Sequence, residues 1–210
     1  MNHTAPFPRR DFLATTLAAS AFAVFHGRAE GQEQHAAAVK QDLRLPESGE
    51  INVAFALSSG ANVIDTAGPW EVFQDASPTI DGRPRRPFKL YTVAKDREPV
   101  RMTGGLQVLP AYTFADAPQP QVIVVPAQNG PAQLHEWLRS ASKGADVTMS
   151  VCTGAFQLGI AGLLDGLKAT THHDAYEQFA KRFPNVELIR DRRVVDNGSI
   201  ATAGGLTSGF

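Results

Sequence analysis

The sequence has a single cysteine, Cys152, among its 210 residues. One thiol cannot form an internal disulfide, so a hydrophobic core must hold the folded domain together. The sequence also has no excess of one charge, because 20 lysines and arginines are balanced by 21 acidic residues and the formal net charge is -1. Nucleic-acid-binding proteins need a basic surface, so this balance argues against a nucleic-acid partner.

An apolar run long enough to span a membrane is missing as well. The mildly apolar residues 12–25 fall short of the about 20 residues that a spanning helix requires. They follow Arg9 and Arg10 and precede small residues, an order typical of twin-arginine export signals. We therefore predict a signal peptide over residues 1–30, a polar linker over 31–49, and a periplasmic protein without a stable membrane anchor. The alternative is a disordered tail with two chance arginines.

The composition after this segment is that of one globular domain. Hydrophobic residues make up 43% of the chain and charged residues 20%, and the roughly 160 residues that remain are enough for one core. Apolar β-branched runs alternate with helical patterns, which predicts an α/β sandwich of three layers around a mostly parallel sheet. We predict strands over 51–57, 88–94, 122–125 and 147–151, and a hairpin over 100–109. Helices are predicted over 133–142, 153–162 and 174–183, and a further helix has Pro69 near its first turn. The last predicted elements are a strand pair, 187–190 with 194–196, and a closing strand over 200–202.

Cys152 follows directly after the predicted strand 147–151, where small residues and an apolar helical pattern begin. A cysteine at such a break lies at a helix N-terminus, where the helix dipole and the free N–H groups stabilise the nucleophilic thiolate. The alternative is a buried structural cysteine. Asp65 and the turn at Pro126 also follow predicted strands. The carboxyl ends of parallel strands meet at one edge, so these three segments are expected to converge there.

Residues 51–210 resemble the ThiJ/PfpI superfamily of class I glutamine amidotransferase-like proteins. The most specific segment is 150–166, SVCTGAFQLGIAGLLDG, which is similar to the nucleophile elbow and its helix. Corroborating segments are 62–73, 124–126, 168–173 and 202–205. The resemblance implies a flavodoxin-like sandwich over 50–210, and we expect the family's C-terminal helix to be missing from this chain.

Within the superfamily, the elbow and the Asp-x-x-Gly-Pro loop at Asp65 are most similar to the isonitrile hydratase group. Sensor domains of certain AraC-type regulators share these features. Those regulators carry a helix-turn-helix after this domain, whereas this sequence shows none and has an export signal. PfpI proteases have histidine after the nucleophile, where this chain has Thr153. These differences argue against transcriptional regulation and peptidase activity.

The resemblance implies Cys152 as the nucleophile, Asp65 beside its sulfur, and Thr153 as a donor of a backbone N–H to an oxyanion. A carboxyl group next to a thiolate tends to keep its proton, because two adjacent negative charges repel each other. Asp65 could then donate a hydrogen bond to the sulfur and pass its proton to an intermediate. The alternative role for Asp65 is a helix N-cap.

The resemblance implies a second oxyanion donor in the turn after Pro126, at Gln128. This chain has Ala127 and Gln128 where a Gly-Gly pair is usual. Glycine adopts backbone conformations that these residues resist, so either the turn is reshaped or the Gln128 side chain enters the pocket.

His172 stands where the superfamily often has a histidine near the thiol, and it could orient a substrate or act as a base. The alternative for His172 or His173 is a polar cap near a helix start. A histidine pair could also bind a metal, but no carboxylate or further histidine is found at matching spacing, so we predict no metal and no cofactor.

These observations predict a periplasmic cysteine-dependent lyase that hydrates a small isonitrile to an N-substituted formamide. Its partners would be the small-molecule substrate and, because superfamily members are commonly dimers, a second copy of the chain. Two alternatives stay open: another thiol-dependent reaction, such as amide hydrolysis or glyoxalase chemistry, and a non-enzymatic redox sensor or ligand-binding protein.

Overall fold

The computed structural model describes residues 49–80 and 82–209. The predicted signal peptide and the predicted linker up to residue 48 lie outside the described residues. No helix in the described part of the chain has the length and apolar character needed to cross a lipid bilayer.

A seven-stranded sheet forms the centre of the domain, and its strands are numbered here in chain order. They are β1 (Ile51–Ala56), β2 (Phe88–Ala94), β3 (Tyr112–Thr113), β4 (Val122–Val125), β5 (Val147–Val151), β6 (Val194–Asp196) and β7 (Ile200–Ala203). Their spatial order is β6-β7-β5-β4-β1-β2-β3. All neighbours run parallel except the antiparallel pair β6–β7. The sheet is therefore mostly parallel, as predicted.

Helices cover both faces of this sheet. They are α1 (Val63–Asp75), α2 (Ala132–Ala141), α3 (Ala155–Ile160) and α4 (Tyr176–Arg182). Because side chains alternate along a strand, Phe55 of β1 lies in one core with Trp70 of α1, while Ala54 lies in a second core with Leu134 of α2 and Phe179 of α4. Both faces are thus buried, which explains the nearly continuous apolar runs of β1 and β4. The three-layer α/β sandwich is confirmed.

Short elements complete the described part of the domain. Two-residue strands pair Thr79–Ile80 with Arg83–Pro84, Val100–Arg101 with Gln107–Val108, and Lys168–Ala169 with Glu187–Leu188. Turns of 3₁₀ helix lie at Thr103–Gly105, Ser142–Gly144, Cys152–Gly154, His173–Ala175 and Leu206–Gly209. The predicted hairpin over 100–109 is confirmed, and the predicted helix over 153–162 is a 3₁₀ turn followed by the short α3.

The predicted pairing of 187–190 with 194–196 is wrong. Glu187–Leu188 pairs with Lys168–Ala169, and β6 folds back on β7 instead. The physical reason is the turn at Asn197 and Gly198, where Gly198 has φ 86, because an Asn-Gly step favours a tight hairpin. β7 pairs with β5 on its other side, so β6 and not β7 closes this edge of the sheet.

The first helix begins earlier than predicted. Asn62 is its N-cap, with Oδ1 accepting a hydrogen bond from the N–H of Ile64 at 3.1 Å. Pro69 is therefore the seventh helical residue rather than one near the first turn. The alternative role of Asp65 as N-cap is wrong for the same reason, since Asn62 already caps the helix and Asp65 lies inside it.

Replacing Phe179 with alanine is expected to destabilise the domain by about 3–5 kcal/mol. Phe179 is fully buried, with ring centroids 5.1 Å from Phe156 and 5.0 Å from Phe183, so truncation leaves a cavity. Urea denaturation measures the loss. Leu109→Ala, at a residue 69% exposed, is the control and should change the free energy of unfolding by less than about 0.5 kcal/mol. Equal losses in both variants would contradict the assigned core.

Candidate functional site

Cys152 lies at the sharp turn between β5 and α3 with φ 58, and in the described residues it alone among non-glycine residues has a positive φ. Side chains disfavour this conformation, so surrounding contacts must maintain it. The Cys152 N–H donates to the Gly204 carbonyl at 2.9 Å. Its own carbonyl accepts a bond from the buried Thr171 hydroxyl at 3.0 Å. The result is a strand-turn-helix elbow that places the thiol at the start of the helix.

The elbow packs directly against the end of β4. A Cβ atom on Gly154 would lie 2.2 Å from the carbonyl oxygen of Val125, so only glycine permits this approach. The contact brings the turn after β4, which begins at Pro126, beside Cys152 and Thr153.

Asp65 reaches the same point from α1. Its carboxyl group is fully buried, hydrogen-bonds with Cys152, and accepts a bond from the Ala127 N–H at 3.2 Å. Burial raises the pKa of Asp65, although the Ala127 and Cys152 hydrogen bonds and, when it is protonated, the charge of His172 oppose the rise. Asp65 therefore keeps its proton to a higher pH than an exposed aspartate and can donate it to the sulfur.

The turn after Pro126 is tied to the end of β1 by the Gln128 side chain. Its Oε1 accepts hydrogen bonds from the N–H of Ser58 at 2.6 Å and from the hydroxyl of Ser58 at 2.8 Å. Its Nε2 donates to the Ala56 carbonyl at 2.8 Å. Because the Ala127 N–H is bonded to Asp65, the backbone N–H of Gln128 is the group that this turn can offer to an oxyanion.

Sequence reasoning missed a buried support behind this turn. The Gln157 Nε2 of α3 donates to the Gln128 carbonyl at 2.9 Å, and its Oε1 lies 2.8 Å from the His135 Nε2. A carbonyl only accepts, so the Gln157 amide has one orientation and His135 must carry its proton on Nε2. No motif in the sequence surrounds His135, so its role could not be predicted. A glutamine inside the apolar run of α3 does indicate a buried polar contact.

His172 lies at the edge of the site with 21% of its side chain exposed. Its Nδ1 accepts the N–H of Asp174 at 3.3 Å, so it caps the 3₁₀ turn that follows. A Cβ atom on Gly205 would lie 2.1 Å from the His172 ring, so the ring packs closely against this backbone. His172 is thus held close enough to act electrostatically on Asp65.

The expectation that no carboxylate accompanies the histidine pair is wrong. Asp174 places carboxylate oxygens 3.7 Å from the His172 Nδ1 and 3.3 Å from the His173 Nε2. The three potential ligand atoms lie within 4.8 Å of one another. However, His173 and Asp174 are exposed and the His172 Nδ1 already accepts a backbone bond. The absence of a metal stays a prediction.

Two cavities flank the elbow. One has a volume of about 310 Å³ and is bordered by residues that precede β6, residues that follow β7, and residues around the 3₁₀ turn at His173–Ala175. The other has a volume of about 230 Å³ and lies beside Gln128 and Thr153. The larger is lined by Thr171, His172, His173, Tyr176, Arg190, Asp191, Arg192, Arg193, Gly204, Gly205 and Ser208, and the smaller also by Phe156, Gln157, Ile160, Gln178 and Arg182.

Comparison with known proteins connects this geometry to a family. The model of the DJ-1/PfpI family matches residues 51–210. Isonitrile hydratase of Pseudomonas putida is 35% identical over 166 residues, which cover 76% of this chain and 68% of the hydratase. The crystal structure of a ThiJ/PfpI family protein from Pseudomonas syringae superposes with a TM-score of 0.65 at 29% identity, covering 80% of this chain and 67% of that one.

Transcriptional regulators are also among the relatives. The HTH-type regulator CdhR of Pseudomonas aeruginosa is 26% identical over 126 residues, which cover 58% of this chain but 38% of the regulator. The match therefore shows a domain shared between enzymes and regulators.

The stability of the domain should depend on the proton of Asp65. Because its pKa is raised in the folded state, its contribution is fully present below the unfolded pKa of about 4 and is lost as the pH rises through the folded pKa. Denaturation curves between about pH 4 and pH 8 would compare Cys152→Ser with Cys152→Ser/Asp65→Asn, a pair that removes the thiol titration from both proteins. The first protein should lose stability relative to the second as the pH rises, and a pH-independent difference would contradict the raised pKa.

Proposed function

The chain belongs to the DJ-1/PfpI family, and from that premise we propose that it hydrates small isonitriles to N-substituted formamides. The observation that carries the proposal is the contact between Cys152 at the elbow and the buried Asp65 carboxyl. This contact joins a nucleophile to a proton donor in one site. The similarity to an isonitrile hydratase over most of the domain supports the choice of substrate.

In the first step, the Cys152 thiolate attacks the terminal carbon of the isonitrile. A carbon–sulfur bond forms, and that carbon takes the proton of Asp65, which gives a thioimidate bound to the enzyme. Asp65 is suited to this step because burial raises its pKa and the Ala127 N–H, which donates to Oδ2, holds the carboxyl in place.

In the second step, the ionised Asp65 accepts a proton from water as the water oxygen attacks the thioimidate carbon. The second proton of that water passes to the substrate nitrogen, and the resulting tetrahedral oxyanion collapses to the formamide with release of the thiolate. We assign the backbone N–H groups of Thr153 and Gln128 the stabilisation of negative oxygen in this intermediate. Substrate plus one water equals the formamide, so no cofactor is required.

Cys152→Ala is expected to lower kcat/KM for formamide formation on the order of 10³-fold or more, because it removes the nucleophile. Asp65→Asn should lower it about 10²-fold to 10⁴-fold, because the amide cannot supply the proton. Chromatographic detection of the formamide measures both effects.

Ser150→Ala is the matched control for these variants. Ser150 is fully buried on the same strand as the elbow, and among the described residues its hydroxyl has no hydrogen-bond partner. Its removal should leave kcat/KM within about twofold. A Cys152→Ala protein as active as wild type would exclude the mechanism.

A second candidate is another thiol-dependent reaction at the same site. It is favoured by the Ala127–Gln128 turn, in which one of the two backbone N–H groups is bonded to Asp65. Comparing isonitriles, 2-oxoaldehydes and amides as substrates would decide between the candidates, and turnover of isonitriles alone would dismiss the second.

We further propose that the enzyme acts in the periplasm, on the strength of Arg9 and Arg10 before the apolar residues 12–25. These residues lie outside the described part of the chain. Replacing both arginines with lysine should abolish export by the twin-arginine route. Fractionation of cells that express the wild-type or the variant protein measures the share that reaches the periplasm. An unchanged periplasmic share in the variant would contradict the proposed signal. The homodimer stays a prediction.

A further inference from the structure

We propose that the larger cavity beside the elbow binds the carboxylate of an anionic substrate, so that the enzyme prefers isonitriles that bear an acidic substituent. This inference rests on the proposed function and concerns the same site. The cavity has a volume of about 310 Å³, which is ample for a carboxylate on a short chain.

The inner wall of the cavity is built from residues that hold the nucleophile. The hydroxyl of Thr171 donates to the Cys152 carbonyl, and the Gly204 carbonyl accepts the Cys152 N–H. His172 lines the cavity and at the same time acts electrostatically on Asp65. A group bound in this cavity therefore contacts residues that are hydrogen-bonded to the Cys152 backbone.

The outer wall carries an excess of positive charge. Arg190, Arg192 and Arg193 line it, and Asp191 is the one carboxylate among its lining residues. Arg190 is largely neutralised, because its Nη1 lies 2.6 Å from a carboxylate oxygen of Glu177. Among the lining residues, Arg192 and Arg193 remain against Asp191, which leaves a net attraction for an anion. The Asp174 carboxylate beside His172 and His173 lies outside the lining, and its side chain is 80% exposed.

No acidic side chain in the described residues forms an ion pair with Arg192 or Arg193, so both positive charges can attract an anion. Within residues 49–80 and 82–209, the Arg192 guanidinium forms no ion pair or side-chain hydrogen bond. Arg193 donates to the hydroxyls of Ser208 at 3.3 Å and Thr207 at 3.4 Å. Hydroxyl groups orient the guanidinium without neutralising it, and arginine is well suited to bind a carboxylate through two N–H groups.

The smaller cavity on the other side of the elbow provides a contrast. It is lined by the amide residues Gln128, Gln157 and Gln178 and by one cation, Arg182. That lining suits a neutral group. Arg182→Gln is therefore a matched control, because it removes one arginine beside the same elbow but from the other cavity.

The test compares isocyanoacetate with isocyanoacetamide, two isonitriles of nearly the same size that differ in charge. Wild-type enzyme should show a kcat/KM about tenfold higher for the anion. Arg192→Gln and Arg192→Gln/Arg193→Gln should lower kcat/KM for isocyanoacetate about tenfold while leaving isocyanoacetamide within about twofold. Arg182→Gln should preserve the preference, and thermal unfolding would verify that each variant is folded.

A binding measurement separates this inference from the proposed function. N-Formylglycine should slow the alkylation of Cys152 by iodoacetamide at concentrations where N-formylglycinamide does not, and Arg192→Gln should remove that protection. If isonitriles are not hydrated but the protection is found, the anion site stands and the proposed reaction fails. If both isonitriles are hydrated equally and the two formamides protect equally, the anion site is overturned and the reaction stands.

Discussion

The backbone of Cys152 lies in the left-handed region at φ 58, and the contacts that maintain this conformation also build the site. The carbonyl of Gly204 holds its N–H, and the hydroxyl of Thr171 holds its carbonyl. Both residues also line the larger cavity. The elbow and the candidate anion site thus depend on the same backbone, so a change that relaxes the turn is expected to affect reactivity and substrate binding together.

Burial of Asp65 is the second constraint. A carboxyl group in a fully buried position is costly when charged, and this cost raises the pKa of Asp65. The Ala127 N–H orients the carboxyl toward Cys152, and Gln128 ties the same turn to β1. Three separate chain segments therefore share one hydrogen-bonded arrangement. In such an arrangement, a proton donor can stay in place while the sulfur changes its charge.

Much of the fold could be predicted because the apolar strands report burial on both faces of a parallel sheet. Errors arose where local patterns competed. Pro69 predicts a helix start close to it, but Asn62 caps α1 about two turns earlier, since a capping side chain decides where the first N–H groups are satisfied. The partner of β6 differs from the predicted one because the Asn197–Gly198 step forms a tight hairpin with β7. The roles of Gln157 and His135 could not be predicted, because their contacts join separate elements.

The sequence by itself determined an α/β domain with a cysteine at a strand-to-helix break, because apolar periodicity and small-residue turns are local properties. Only the tertiary structure decided that Asp65 is buried against that cysteine, that the Gln128 side chain binds β1, and that arginines near β6 border a cavity beside the elbow. These are contacts between residues far apart in the chain. Their geometry and solvation, and hence the chemistry they permit, arise from packing and not from any single segment.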